Sequence, residues 1–113
     1  MDALDCCVTV ICNHHSAHVV LIGEFDLGEA AELARQLEPV VDDLPDVVLL
    51  NLGRVRFIGA ATLRVLIELR EACARASREF VITDQSPCVA RLFELAELTN
   101  YFDLADVGLA PGR

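Results

Sequence analysis

The chain has 113 residues and a mass of 12.3 kDa, the size of one globular domain. Its hydrophobic fraction of 54% is enough to form a core without disulfides or a metal. The same fraction excludes an intrinsically disordered protein, although the net charge is −9. All nine basic residues are arginines, and they are scattered along the chain. They form no basic stripe that could neutralise phosphates, so we expect no direct binding to nucleic acid. The net negative charge should instead attract protein partners with basic surfaces.

The start of the chain and its cysteines bear on the cellular compartment. Residues 1–5 lack the positive and apolar regions of a signal peptide, and no apolar run is long enough to span a membrane, so we expect a cytoplasmic protein without membrane insertion. The five cysteines show neither a C-x-x-C pair nor histidines at zinc-site spacing, which predicts free thiols and no metal. Cys6 and Cys7, adjacent near a chain end, are the candidates for a redox-sensing thiol.

A β-hairpin is predicted at the start of the chain. Residues 7–12 are rich in β-branched residues and cysteine and indicate a strand, and the polar turn 13–16 leads to its partner at 18–23. Because the second run is continuously apolar, we expect that strand to be covered on both faces.

An amphipathic helix is predicted next, from apolar residues that recur every three or four positions: Leu27, Ala30, Ala34, Leu37 and Val41. Pro39 removes a backbone donor and crowds the carbonyl of Arg35. We therefore expect the helix to kink at Pro39, or to end there and restart.

The rest of the chain alternates strands with helices. Residues 47–52 and 80–83 indicate strands; an apolar stripe from Leu63 to Ala76 indicates a helix between them. Ser86 and Pro87 predict the N-cap and first position of a last helix, whose buried face is Val89, Leu92, Phe93 and Ala96. Residues 101–104 indicate a short edge strand, and residues 105–113 show little pattern and are expected to fray.

This order predicts one α/β domain over residues 1–113, with a core at about 7–104. Its sheet is expected to be mixed, with four to five strands, an antiparallel hairpin first and helices after the later strands. Strand-to-helix turns present helix N-termini at one edge of such a sheet, which makes the turn at 57–62 the place to seek function.

Sequence support for an enzyme is absent. The chain contains no phosphate-binding glycine loop and no nucleophile elbow, so we expect no catalytic residues and no cofactor. His14, His15 and His18 lie in or beside one turn, where solvated histidines are more common than metal ligands. Glu24 and Asp26 follow a strand end, where a turn or helix cap is the commoner role.

Three segments resemble the STAS domain of bacterial anti-sigma factor antagonists. Residues 23–26 (GEFD) match that family's G-E-[LF]-D signature, and residues 48–58 with 63–66 are similar to its strand, regulatory loop and following helix. Residues 86–95 (SPCVARLFEL) resemble its S-P-x-V-x-R-L-F segment. In the family, an anti-sigma factor that is also a serine kinase binds this loop and phosphorylates the first serine of a D-S-S-G motif, which releases the kinase.

The chain departs from the family at that motif. Gly59, Ala60, Ala61 and Thr62 stand where D-S-S-G is expected, so Ala60 replaces the phosphoacceptor serine and offers no oxygen to a kinase. Thr62 is the remaining hydroxyl, but two helical positions turn its side chain almost opposite to that of Ala60. The resemblance therefore implies an antagonist that phosphorylation at the usual site cannot switch.

The expected function is that of an anti-anti-sigma factor, a binding protein and not an enzyme, which binds an anti-sigma factor of the serine kinase type and frees a sigma factor. Two alternatives stay open: a degenerate STAS scaffold subunit in a sensor or membrane-transport complex, and a nucleotide-binding domain that uses the helix start at residues 59–61. The predicted partner-binding surface consists of Glu24, Phe25, Asp26, Arg56, Phe57, Ile58, Gly59, Ala60, Ala61, Thr62 and Arg64.

Overall fold

A computed structural model describes residues 6–98 and Tyr101. The chain forms seven elements: β1 (Cys6–Cys12), β2 (Ser16–Phe25), α1 (Leu27–Asp42), β3 (Val47–Ile58), α2 (Ala60–Arg75), β4 (Glu79–Gln85) and α3 (Pro87–Leu95). This is the predicted alternation of strands and helices.

The four strands form one mixed sheet in the order β1-β2-β3-β4. β1 and β2 are the predicted antiparallel hairpin, and β2-β3 and β3-β4 are parallel pairs. The hairpin turn is held by Asn13, whose Oδ1 accepts hydrogen bonds from the backbone N–H groups of His15 (2.8 Å) and Ser16 (3.0 Å). The expected α/β class with a mixed sheet is confirmed.

Only one face of β2 is fully buried. Ala17, Val19 and Leu21 point into the core, whereas Val20 and Ile22 on the other face are half-buried. The prediction that β2 is covered on both faces is therefore wrong within the part of the chain that the structure describes. An apolar run in a strand reports side-chain chemistry, and it does not by itself show that a second layer covers the other face.

β3 is longer than the predicted strand 47–52 and continues to Ile58. Its pairing with β2 changes register twice, between Val20 and Ile22 and between Gly23 and Glu24 of β2, so β3 contains two extra residues there. Each extra residue is a bulge that interrupts the period of two. The inward residues of β3 after Leu52 are accordingly Val55 and Ile58, at steps of three, which conceals the strand in the sequence.

α1 continues through Pro39 to Asp42, so the alternative that the helix ends at the proline is wrong. Pro39 and Arg35 lie on the exposed side, where water can replace the backbone hydrogen bond that proline removes.

The buried face of α1 also differs from the prediction. Leu33 and Val40 are buried together with Ala30 and Leu37. Leu27, Ala34 and Val41 are exposed instead, with Leu27 73% exposed. The two stripes are neighbours on the helix wheel, and packing on the sheet and on α2 selects between them.

α3 begins as predicted: the Ser86 hydroxyl accepts from the backbone N–H of Val89 (3.4 Å), and Pro87 occupies the first turn. Val89 and Phe93 are buried, but Ala96 is the exposed C-cap, and Ala76 is likewise the exposed C-cap of α2. These two alanines were wrongly predicted as buried because the helical period was extended past the helix ends. Tyr101 lies in a turn; residues 102–104 of the predicted edge strand and the tail 105–113 are outside the described residues.

Candidate functional site

The ends of β2 and β3 lie side by side and define the candidate site. Glu24 pairs with Phe57, and Phe25 pairs with Ile58. Past the strand ends, the backbone N–H of Gly59 donates to the carbonyl oxygen of Phe25 at 2.9 Å. The starts of α1 and α2 therefore lie next to each other at one edge of the sheet.

Asp26 caps the start of α1. Its Oδ1 accepts from the N–H of Leu27 at 2.9 Å. Its side chain also accepts from the backbone N–H of Glu29, and the Glu29 carboxylate accepts from the N–H of Asp26 at 2.9 Å; these two reciprocal bonds form a capping box. The cap role expected for Asp26 is thus present. The two carboxylates stabilise the positive end of the α1 dipole.

The start of α2 has no such side chain. Gly59 is the N-cap and supplies no side-chain hydrogen bond, and the first turn contains no acidic residue. Ala60 is exposed and Ala61 is half-buried, so the first turn presents methyl groups and backbone to solvent. The first N–H groups of α2 therefore lack a side-chain cap, because these groups have no partners within the helix and Gly59 supplies none.

Thr62, in the same turn, is fully buried at 0% exposure. Its Oγ1 has no hydrogen-bond partner within the part of the chain that the structure describes. A kinase would have to unfold the first turn of α2 to reach this oxygen. The burial therefore weighs against Thr62 as a phosphoacceptor.

Charged and aromatic side chains surround the start of α2. Nε of Arg56 lies 3.6 Å from Oε2 of Glu24, and both side chains are more than half exposed, so this ion pair contributes at most about 1 kcal/mol. Phe57 is 49% exposed, and its ring lies next to Gly59 at the start of α2. Arg64, one turn into α2, is also exposed.

The predicted surface residues separate into two groups. Phe25, Ile58 and Thr62 are buried and form the part of the site that packs in the core. The residues that reach the surface are Glu24, Asp26, Arg56, Phe57, Gly59, Ala60, Ala61 and Arg64.

A groove beside Phe57 was not predicted. It encloses about 230 Å³ between the end of β3 and α3, and its lining residues are Arg56, Phe57, Ile58, Cys88, Arg91, Leu92 and Leu95. Leu95 is 72% exposed. The α3 residues reach the site because α3, which follows β4 in the chain, packs on β3. This packing is a long-range contact, and no local sequence motif indicates the groove.

The other sequence candidates are the two cysteines at the start of β1 and the histidines of the hairpin turn, and Cys6 pairs with Gly23, one residue before Glu24. Burial, then Glu29 and then Cys7 raise the pKa of the Cys6 thiol, which disfavours its reactive thiolate, while Cys7 is exposed. His15 contacts Asp46 at 3.4 Å at the opposite end of the sheet. Within residues 6–98 and 101, no cluster of three metal-ligating side chains occurs, and no helix has the length and hydropathy to cross a membrane.

The fold and the paired helix starts define a STAS domain: the family model described as "STAS domain" matches residues 9–108, and the chain belongs to this family. Its relatives include the anti-sigma-F factor antagonist RsfB of Mycobacterium tuberculosis, which is 30% identical over 105 residues, 92% of this chain and 85% of RsfB.

Solved structures agree with this assignment. An anti-sigma factor antagonist from Mycobacterium paratuberculosis superposes with a TM-score of 0.80 at 25% identity, covering 96% of this chain and 92% of that one. The unphosphorylated form of the antagonist SpoIIAA gives a TM-score of 0.75 at 13% identity over 89% of this chain and 90% of that one, which supports the fold alone.

Proposed function

We propose that this protein is an anti-sigma factor antagonist. It binds an anti-sigma factor of the serine kinase type and so frees a sigma factor for transcription, which places it in the cytoplasm as a binding protein without catalysis. The relatives named above support the role. The observation that carries the proposal is the exposed start of α2 at Ala60, flanked by the solvent-exposed Phe57.

The proposed binding surface combines apolar contact with charge. Phe57 and the methyl groups of Ala60 and Ala61 supply area that a partner can cover, and Arg56 and Arg64 flank it. A buried aromatic with arginine at its rim is a common arrangement of the residues that dominate binding energy. The uncapped α2 start offers backbone N–H groups to an acceptor on the partner.

The proposed antagonist is held in its binding form. In a relative with a serine here, phosphorylation would add close to two negative charges at the centre of the interface. Ala60 cannot be modified in this way, and the Thr62 hydroxyl is buried. Control of this antagonist then falls to its abundance or to a further protein.

The test is binding to the anti-sigma factors of the source organism, measured by titration calorimetry, with the variants Ala60→Glu and Ala60→Ser. We expect the wild type to bind, Ala60→Glu to bind at least about 10-fold more weakly, and Ala60→Ser to bind like the wild type. Incubation with the kinase and ATP should label Ala60→Ser and leave the wild type unlabelled.

Two results would contradict the proposal separately. Failure to bind any anti-sigma factor, with co-purification of a membrane-complex component, would favour the scaffold alternative. Label in residues 59–62 of the wild type would refute the unswitched form while leaving the antagonist role intact.

A further inference from the structure

The free edge of β1 differs from the rest of the molecular surface in its lack of charge. From Cys6 to Gly23, which covers β1, the hairpin turn and most of β2, the sequence contains no Asp, Glu, Lys or Arg, although the chain carries 18 acidic and 9 basic residues. β1 is the last strand on its side of the sheet, and no strand within residues 6–98 pairs with its outer edge. Among residues 6–98, its backbone donors and acceptors on that side form no hydrogen bonds with another strand.

Edge strands of natural proteins are protected against pairing by charges, proline, bulges or short length. The opposite edge, β4, follows this rule with exposed Glu79 and Asp84. β1 has seven residues, CCVTVIC, without charge, proline or glycine, and its pairing with β2 runs without a register shift. Ile11 on this strand is 65% exposed. β1 itself therefore lacks the charges, proline and bulges that prevent association.

We propose that β1 is a homodimerisation edge, at which β1 of a second copy of this chain adds in antiparallel orientation. Full overlap of Cys6–Cys12 with itself centres the two-fold axis on Thr9. In this register Thr9 faces Thr9 of the second copy, Cys7 faces Ile11, and Val8 faces Val10. Each apolar residue then meets another apolar or cysteine side chain.

A second copy fits this edge better than a different protein for two reasons. Two chains that each carry a net charge of −9 repel, and the uncharged hairpin is a surface on which they can approach closely. The pairing also closes, because each copy uses its β1 edge once and its β4 edge carries Glu79 and Asp84. The four described strands of each copy then form one continuous eight-stranded sheet and not a fibre.

The dimer is expected to be weak, because one strand of seven residues is a small interface compared with the ~1,200 Å² that stable complexes bury. It leaves the start of α2 open, and the inference does not depend on the proposed function. Thr9 is exposed, so its substitution should leave the monomer folded, which circular dichroism verifies.

The test is analytical ultracentrifugation of the full chain, under reducing conditions, up to about 1 mM. We expect the wild type to dimerise as its concentration rises, and Thr9→Glu and Thr9→Lys each to raise the dissociation constant at least ~10-fold, because like charges face each other across the axis. An equimolar mixture of the two variants should recover the dimer. Ala34→Glu, which adds the same charge to an exposed position of α1, should behave like the wild type.

A wild type that remains monomeric at all concentrations would overturn the proposal. It would also fail if Thr9→Glu dimerised as well as the wild type, or if the mixture of Thr9→Glu with Thr9→Lys stayed monomeric. If a different protein bound at this edge and its binding were lost in Thr9→Glu, the proposed second copy would be wrong and that protein would be the partner of β1.

Discussion

Gly59 donates its backbone N–H to the carbonyl oxygen of Phe25 at 2.9 Å, and Phe25 is fully buried. This hydrogen bond joins the N-cap of α2 to the end of β2. The start of α2 cannot shift relative to that of α1 without breaking a bond to a core residue. The surface around Ala60 is therefore presented on a rigid base, which lowers the entropic cost of binding.

The first prediction concerns the missing cap at Gly59. A Cβ added there would make ordinary contacts, 3.5 Å from the Phe25 carbonyl oxygen and 3.6 Å from Oδ1 of Asp26. We expect Gly59→Ser to raise the free energy of unfolding by about 0.3 kcal/mol, since its hydroxyl can cap α2. Gly59→Asp places a second carboxylate beside Asp26, so at low salt it should stabilise less than serine. Urea denaturation measures both, and equal gains at low salt would contradict the argument.

The second prediction concerns the buried hydroxyl of Thr62, which lacks a partner among the described residues. Thr62→Val keeps the shape and removes the unsatisfied oxygen, so we expect the free energy of unfolding to rise by about 1 kcal/mol. Thr62→Ser keeps the oxygen and removes a buried methyl group, and should lower it by about 1 kcal/mol. Thermal and urea unfolding measure both changes. The prediction fails if the two variants change the free energy of unfolding in the same direction.

The third prediction separates binding from folding at Phe57, which is 49% exposed. Phe57→Ala should weaken binding to the anti-sigma factor ~10-fold or more, because an aromatic at the centre of an interface contributes strongly. Its effect on stability should be small. Val41→Ala, a truncation at a 40% exposed position near the C-terminal end of α1, is the control. If both variants bind equally well, Phe57 lies outside the interface.

The fourth prediction uses Tyr101, the single tyrosine of a chain without tryptophan. Its hydroxyl donates to the Glu71 carboxylate, which raises the pKa of Tyr101, and Arg70, 4.3 Å from the ring centre, opposes this effect. Since the folded pKa lies above the ordinary value, the contact stabilises the fold at lower pH and is lost as pH rises through the raised value.

An alkaline absorbance titration monitors Tyr101 directly. We expect a midpoint above the ordinary value of about 10 for the folded protein. Glu71→Ala should lower this midpoint toward the ordinary value, whereas Arg70→Ala should raise it further. Movement of both variants in the same direction would contradict the assigned roles of the two side chains.

The sequence predicts most of the elements because their signals are local. The Asn13 turn, the Asp26 cap and the Ser86-Pro87 start each depend on a few neighbouring residues, and the structure contains all three. The absent phosphoacceptor at position 60 is also read directly from the chain. The resemblance to the STAS family is also local, since it rests on residues 23–26, 48–58 with 63–66, and 86–95.

The sequence predictions fail where contacts between residues far apart in the chain determine which side chains are buried. Leu27 and Val41 form an apolar stripe as good as that of Leu33 and Val40, and contact with the sheet and α2 selects the second. The groove lined by Arg91 and Leu95 requires α3 to lie beside β3. The burial of Thr62 likewise depends on how the first turn of α2 rests on the core.

The two extra residues of β3 also determine which changes in chain length the protein tolerates. Each bulge reverses which face the following side chains occupy, and two bulges restore the original alternation by Ile58. Deleting one residue between 53 and 57 would remove one bulge, and Ile58 would still pair with Phe25 on the core side of the sheet. Deleting two would remove both bulges and leave the same pair in place. This segment is therefore expected to tolerate the loss of one or two residues, whereas the loss of a third would break the pairing of Ile58 with Phe25.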